Sequence, residues 1–388
     1  MTAYLGLTWD HPRGYRALDA AARAAQTAGA ANAAGPLTLT WKRQPLEGFE
    51  SHSIRELCDA YDLVVLDHPH VGEAVDAGCL RPLDELFEPQ ELTDWRRETV
   101  GFSHASYHYA QHQWALPLDA ATQVMACRTA LVDATVPDTW DAVRDLAQRK
   151  PVALSIAGPH ALLTFSSMAV AMGEPPALDA GIDFVSRDTA LAVLDLMTAL
   201  TASMPADIRA LNPIGLLERM ASSDDVAMCP LVYGYVNYSA PQSPHAQRVS
   251  FHDAPRLNAG TRRGSTLGGT GIAISRRCDV TPTLLAHLRE LMSAPIQRGF
   301  IPSHDGQPSL REAWRDPVVN ARWNGFYANT LATIEDAWVR PRHAGYIAFQ
   351  SQASALVRDA LDRTITHAAA WQAIVDTYRR SFKERGTP

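Results

Sequence analysis

An uninterrupted apolar run, Leu63–Leu66, constrains the fold of this chain more than any other segment. A strand with one solvated face alternates between apolar and polar residues, whereas a continuous apolar run is typical of a buried strand in a parallel sheet. The residues before this run predict the order strand, helix, strand, helix, over 3–9, 15–27, 37–41 and 53–61. Strands that alternate with helices predict an α/β lobe with a parallel sheet.

The length and charge of the chain limit its class. A chain of 388 residues exceeds the usual single core, which indicates two domains. The net charge of -7 provides no basic surface for nucleic acid or anionic lipid, so we expect neither as a partner. Because no apolar stretch approaches about 20 residues, we expect no membrane insertion.

The N-terminal sequence and the cysteines bear on localisation. The start of the chain has no basic segment, apolar core and cleavage site of a secretory signal, so the sequence as written predicts a cytoplasmic protein. If a leader has been removed, the prediction becomes periplasmic. The five cysteines form no C-x-x-C pair, which argues against zinc and favours buried reduced thiols. We expect no metal and no cofactor.

Five segments, in order, resemble the extracellular solute-binding family of ABC importers, which includes maltose-binding and other carbohydrate-binding proteins. They are Tyr61 to Asp67 with Ala77 to Asp84, Trp114 to Gln123 (the crossover strand with Ala-Leu-Pro), Val136 to Asp141, Leu267 to Ser275 (Gly-Gly-Thr-Gly) and Leu288 to Ser303. The resemblance implies a two-lobed, periplasmic-binding-protein-like α/β fold of type II with hinge crossovers and a ligand cleft between the lobes. It implies a first lobe of 1–118 plus 273–310 and a second of 119–272 plus 311–388.

Polar side chains that follow strands are the candidate ligand contacts, because ligands of such folds lie beyond the carboxyl ends of strands. Of these, Asp67, His68 and His70 form the densest polar cluster, and this pattern directly after a buried strand has little structural reason. The full candidate set is Trp9, Asp10, His11, Arg13, Trp41, Asp67, His68, His70, Asp119, Gln123, His160, Tyr233, Tyr235, Asn237, Gly269 and Trp323.

Most of these residues also have a structural interpretation. Trp9 and Trp41 could be core residues, although flat apolar faces also stack on sugars. Asp10 and Asp119 fall at loop starts, where a carboxylate commonly caps a turn. The glycines around Gly269 precede a strand rather than open a helix, which disfavours a nucleotide loop and suits a hinge.

His104, His108 and His112 recur every four residues, which predicts one face of a helix. No acidic residue lies among them, so the spacing favours a packed or solvated surface over a metal site.

Two functions remain open. In the first, the chain is a solute-binding protein that captures a sugar, polyol or organic acid by lobe closure, and an ABC importer permease is its partner if it is exported. In the second, the fold serves as a cytoplasmic enzyme, in which Asp67 orients His68 or His70 for acid–base chemistry on a small carboxylate. The absence of an export signal favours the enzyme, whereas the resemblance to solute-binding proteins over nearly the whole chain favours binding. We favour binding, and the sequence contains no P-loop, H-E-x-x-H or nucleophile elbow.

Overall fold

The computed structural model of the chain describes residues 3–29, 37–132, 135–240 and 249–382. The strands of these residues are β1 Ala3–Trp9, β2 Thr38–Gln44, β3 Leu63–Leu66, β4 His108–Tyr109, β5 His112–Gln113, β6 Leu116–Cys127, β7 Met228–Tyr233, β8 Ser250–His252 and β9 Leu267–Ile274.

The α-helices of the described residues follow in chain order. They are α1 Pro12–Gly29, α2 Leu46–Ser51, α3 Ile54–Ala60, α4 Val71–Asp76, α5 Pro89–Glu98, α6 Trp140–Ala147, α7 His160–Ala171, α8 Arg187–Thr201, α9 Ala206–Arg209, α10 Pro213–Ser222, α11 Pro282–Leu291, α12 Ile301–Ser303, α13 Arg311–Arg315, α14 Pro317–Arg322, α15 Phe326–Glu335, α16 Tyr346–Leu361 and α17 His367–Ser381. In this part of the chain no helix is long and apolar enough to cross a bilayer.

The chain divides into two compact units, each assembled from separate stretches of sequence. Unit 1 comprises Met1–Ala120, Gly268–Val319 and Arg342–Ala344, and unit 2 comprises Ala121–Leu267, Asn320–Pro341 and Gly345–Pro388. Two of the transitions therefore fall inside strands, β6 and β9. The return of residues 342–344 to unit 1 was not anticipated from the sequence.

The sheet of unit 1 is parallel over its first three strands. β1 pairs with β2 in parallel, from Ala3 opposite Thr38, and with β3 in parallel, where Gly6 lies opposite Leu63. The run Leu63–Leu66 is completely buried, which explains its lack of alternation. β9 then pairs antiparallel with β3. The predicted α/β lobe is thus present, with an antiparallel strand added to the parallel set.

The histidine-rich segment of unit 1 is not the helix that the four-residue spacing predicted. A single 3-10 turn, Ala105–Tyr107, leads into a hairpin of β4 and β5. Ala110 and Gln111 at its tip have positive φ values of 48° and 70°, which a helix excludes. The histidine periodicity was misleading because a tight turn interrupts it.

Unit 2 combines a small antiparallel sheet with a layer of helices. β6 pairs antiparallel with both β7 and β8. α7 is buried along its whole length, and its residues are almost all apolar or small. Ring centroids of Phe184 and Phe349 lie 5.0 Å apart and those of Phe349 and Tyr378 lie 5.1 Å apart, which joins α16 and α17 at an aromatic core.

Side-chain caps define the starts of three helices. The hydroxyl of Thr139 accepts the Ala142 backbone N–H at 3.3 Å at the start of α6. The hydroxyl of Thr281 accepts the Leu284 N–H at 3.3 Å, ahead of Pro282 in the first turn of α11. α8 begins at Arg187, and the Ser186 hydroxyl accepts the Thr189 backbone N–H at 3.3 Å. Local capping chemistry therefore determined these boundaries.

Candidate functional site

The candidate residues of unit 1 gather at one edge of its sheet. β1 and β2 run in parallel with Trp9 opposite Gln44, and β3 follows the same direction beside β1. The carboxyl ends of parallel strands share an edge, so the segment after Trp9 and the segment after Leu66 emerge on the same side of this sheet.

A bidentate ion pair joins two of the predicted contacts. The Nε of Arg13 donates to Oδ1 of Asp119 at 2.8 Å, and its Nη2 donates to Oδ2 at 2.5 Å. The two side chains are only 5% and 4% exposed, so the pair is buried. Planar guanidinium and carboxylate groups match in this geometry. Each residue thus compensates the charge of the other.

His11 and Asp10 precede this pair and differ in environment. The pKa of His11 is lowered to about 3, mainly by burial and in smaller part by the positive charges of Arg13 and Arg16. Nδ1 of His11 accepts the backbone N–H of Arg13 at 3.2 Å, so the ring is neutral and its position is defined. Asp10 is 61% exposed and lies 3.8 Å from Arg43. Asp10 is the solvent-accessible carboxylate of this segment.

The two strand-end tryptophans lie in the hydrophobic core of unit 1. Trp9 is 3% exposed and packs on Phe49 at a centroid distance of 5.4 Å. A Cβ added to Gly14 would approach the Trp9 ring to 2.5 Å, and one added to Gly6 would approach the Trp41 ring to 2.5 Å. The glycines thus admit the rings against the backbone. This packing favours the core interpretation of both tryptophans over stacking on a ligand.

Asp67, His68 and His70 have a structural role that the sequence did not predict. Asp67 Oδ1 accepts the backbone N–H of His68 at 2.9 Å, which caps the 3-10 turn His68–His70. The same oxygen lies 3.1 Å from Nδ1 of His68, whose ring meets Tyr107 edge-on. His68 is 0% exposed and His70 4%, while the Asp67 side chain keeps 20%. Of the three side chains, Asp67 is therefore the most accessible to a solute.

Gln123 of unit 2 belongs to an interior network of neutral polar groups. Its Nε2 donates to the Thr164 hydroxyl at 3.2 Å, and its Oε1 accepts from the Ser167 hydroxyl at 2.5 Å. Ser167 also contacts the Thr266 hydroxyl at 2.9 Å, and the Ser265 hydroxyl donates to the Gln123 carbonyl at 2.6 Å. Gln123 is 0% exposed, so these contacts favour a structural role for its amide.

The remaining candidates of unit 2 lie near the end of β7 and the start of α7. The rings of His160 and Tyr233 meet edge-on at 5.9 Å. Tyr235 precedes the 3-10 turn Val236–Ser239, which contains Asn237. The Ser239 hydroxyl donates to the backbone carbonyl of Trp323 at 2.9 Å, so the same turn touches a third candidate segment. The segment that contains Tyr235 and Asn237 therefore contacts the backbone of Trp323.

Gly269 has the special backbone that the sequence suggested. Its φ is 91°, a value that favours glycine. Gly269 lies within β9, next to Gly268, where the chain passes from unit 2 into unit 1. This conformation suits the predicted hinge. No group of three or more histidine, cysteine or acidic residues able to hold a metal occurs among the residues that the structure describes.

Arg43 is a charged residue at the same sheet edge that the sequence analysis missed. Its guanidinium lies 3.4 Å from the Tyr15 ring centroid and pairs with Asp19 at 2.6 Å. The predicted second strand ends at residue 41, whereas β2 continues to Gln44. Lys42, Arg43 and Gln44 are consecutive polar residues that break the alternation, so the sequence pattern did not indicate the longer strand.

Comparisons with known proteins identify the fold. No family model matches the chain, and no curated protein matches it. The maltose-bound MalE3 of T. maritima superposes with a TM-score of 0.79 at 18% identity, covering 96% of this chain and 98% of that one. A solute-binding protein of Agrobacterium radiobacter with ribitol gives 0.75 at 19% identity and 98% coverage of both chains. One from Agrobacterium vitis with D-mannitol gives 0.73 at 14% identity, covering 100% of this chain and 99% of that one.

Proposed function

We propose that this chain, which has the fold of ABC-transporter solute-binding proteins, captures a small, neutral, polyhydroxylated solute. The observation that carries the proposal is the fold likeness, which extends over nearly the whole of this chain and of proteins described with maltose, ribitol or D-mannitol. Fold alone does not determine function, so the side chains must supply the ligand class.

The charges of the candidate residues favour a neutral ligand over an organic acid. The candidate set contains Arg13 as its arginine, against the carboxylates Asp10, Asp67 and Asp119. Arg13 is bound in bidentate fashion by Asp119, and His11 is neutral because its pKa is lowered to about 3. An anionic solute would be repelled by the accessible carboxylate of Asp67, whereas a hydroxyl group can donate to a carboxylate oxygen.

The binding function favours an importer permease as partner. Similar structures are described as ABC-transporter solute-binding proteins. A receptor of this kind delivers its solute to a membrane permease, so the proposal includes an extracytoplasmic location and release of the solute to such a permease.

The burial of the cluster also favours binding over the enzymatic alternative. A general acid or base must come within hydrogen-bond reach of its substrate, about 2.6–3.2 Å between heavy atoms. His68 is completely buried beneath Tyr107 and His70 is 4% exposed. The Asp67–His68 contact is therefore better suited to holding a loop than to transferring protons.

Calorimetric titration with sugars, polyols and matched aldonic and dicarboxylic acids tests the proposal. Neutral compounds should bind and acids should not. Asp67→Asn retains an oxygen that can cap the turn but loses the charge, so it should weaken binding by about tenfold or more. Asp141→Asn is the matched control, because the Asp141 side chain is 75% exposed on α6. Preferential binding of acids would refute the neutral-ligand assignment, and unchanged affinity in Asp67→Asn would remove this loop from the site.

A further inference from the structure

Unit 1 contains a cavity of about 260 Å³ whose lining includes none of the candidate ligand contacts. One wall is a face of α5, where Pro89, Leu92, Thr93 and Arg96 recur at helical spacing. The opposite wall is the 3-10 turn and hairpin with the preceding loop, through Asp84, His104, Ala105, His108, Gln111 and Gln113. The volume is just below the ~300 Å³ lower range of ligand pockets, which suits a small ligand.

His104 is the buried polar group of this cavity. It is 4% exposed, and neither ring nitrogen has a hydrogen-bond partner among the residues that the structure describes. Buried polar atoms in native proteins are normally satisfied, and an unsatisfied one costs about 1–3 kcal/mol in stability by mutational measures. An imidazole without a partner in the wall of a cavity therefore indicates a polar occupant.

The wall around His104 is held in place from several sides. The Gln113 side-chain amide donates to the His104 carbonyl at 3.1 Å and to the Ala115 carbonyl at 2.9 Å. Nη1 of Arg342 lies 3.1 Å from each of the carbonyls of Ala105, Ser106 and His108. These contacts secure the turn and the hairpin, so the imidazole is presented by a fixed backbone.

The charges around the cavity favour an anion near His104. The pKa of His104 is lowered to about 4, mainly by burial and in smaller part by the positive charge of Arg96. The exposed Arg96 side chain forms no ion pair or hydrogen bond within the described ranges. Asp84 is the acidic residue of the lining, and it is engaged by the His112 ring at 2.7 Å and the Gln113 backbone N–H at 3.0 Å.

We propose that this cavity binds a small oxyanion, a carboxylate or a phosphate, between the guanidinium of Arg96 and a ring N–H of His104. The guanidinium offers paired donors that match the geometry of either oxyanion. A neutral imidazole supplies one N–H donor, and the bound anion compensates the positive charge of Arg96. The site is independent of the solute proposed above, because its lining and the candidate contacts share no residue.

Titration of the full chain with inorganic phosphate and, separately, with succinate tests this proposal by calorimetry and by histidine-resolved NMR. Saturable binding of either probe up to ~10 mM is expected, with the resonances of His104 shifting during the titration. Phosphate binding alone would assign a phosphate, and succinate binding alone a carboxylate. Arg96→Gln should weaken binding about tenfold or more, as expected for loss of a charge-assisted hydrogen bond.

Arg97→Gln is the matched control, because Arg97 is the next residue of α5 and is occupied by Asp94 at 2.7 Å and Glu98 at 3.1 Å. It removes the same charge but should leave the affinity unchanged. His104→Gln tests the second donor, and thermal unfolding checks that it folds. Absence of saturable binding for both probes, or equal weakening by Arg96→Gln and Arg97→Gln, would overturn the proposal.

Discussion

The two units bury polar groups near the candidate residues in opposite ways. Unit 1 uses opposite charges, in the bidentate pair of Arg13 and Asp119. Unit 2 uses neutral hydroxyl and amide groups, in the network of Gln123, Ser167 and Thr266. Removing one member of a buried ion pair leaves an uncompensated charge, whereas removing one hydroxyl leaves only an unsatisfied dipole. Unit 1 should therefore be the more sensitive to changes of charge.

Mild acid should produce the largest difference between the units. Within the described residues, unit 1 contains His11 with a pKa lowered to about 3, and His104 and His287 with pKa values lowered to about 4, burial being the main cause in each. The unfolded chain takes up these protons near pH 6.5 and the folded chain does not, so stability falls as pH drops below 6.5. Each of these histidines should lower the free energy of unfolding by about 2 kcal/mol between neutral pH and pH 5.

Hydrogen exchange measured at pH 7 and pH 5, corrected for intrinsic rates, should show earlier loss of protection in unit 1 peptides. His287→Phe should reduce the pH dependence, because it removes one of the three groups. His52→Gln, at a side chain 53% exposed, is the control and should not change it. Earlier loss of protection in unit 2 would contradict the comparison.

Asp119→Ala should be the most destabilising single substitution, by about 3–5 kcal/mol, because the buried charge of Arg13 would lose the carboxylate that compensates it. Denaturant unfolding measures this change. Combining Arg13→Met with Asp119→Leu should recover most of the loss, since both charges are removed together. Asp10→Ala is the control for loss of a carboxylate at an exposed position and should change stability by no more than ~0.5 kcal/mol. Equal effects of Asp119→Ala and Asp10→Ala on stability would show that the ion pair of Arg13 and Asp119 is not a main stabilising contact of unit 1.

Ser167→Ala should have a smaller effect in unit 2, about 1–3 kcal/mol, because the Gln123 amide oxygen loses a donor in the interior. The same denaturant experiment on Ser222→Ala, an exposed serine of α10, gives the baseline. A loss for Ser167→Ala comparable to that of Asp119→Ala would remove the distinction between charged and neutral networks.

The parts of the fold predicted from the sequence are those determined locally. The apolar run Leu63–Leu66 indicated a buried parallel strand, because a hydrophobic pattern acts over a few residues. The histidine spacing gave a wrong prediction. A four-residue spacing places side chains on one face only if the segment is helical, and the turn at Ala110 and Gln111 excludes a helix there.

The candidate site was less accessible to prediction because its contacts are long-range. Arg13 and Asp119 were both selected from the sequence, yet their pairing joins residues 106 positions apart. Trp9 was selected for its flat ring, but the glycine that admits the ring to the core acts only in the folded chain. Composition identifies which residues can bind a ligand, and packing determines which of them already have another role.

The central claim, that the chain is a receptor for a neutral polyhydroxylated solute, is tested most directly by a thermal-shift screen of sugars and polyols read at once and again after overnight incubation. A ligand at a hundred times its Kd adds about 2.7 kcal/mol of stability, which should raise the Tm by a few degrees. We expect at least one neutral compound to give a shift that persists overnight. A shift that fades as the compound is consumed, or one given only by acids, would contradict the claim.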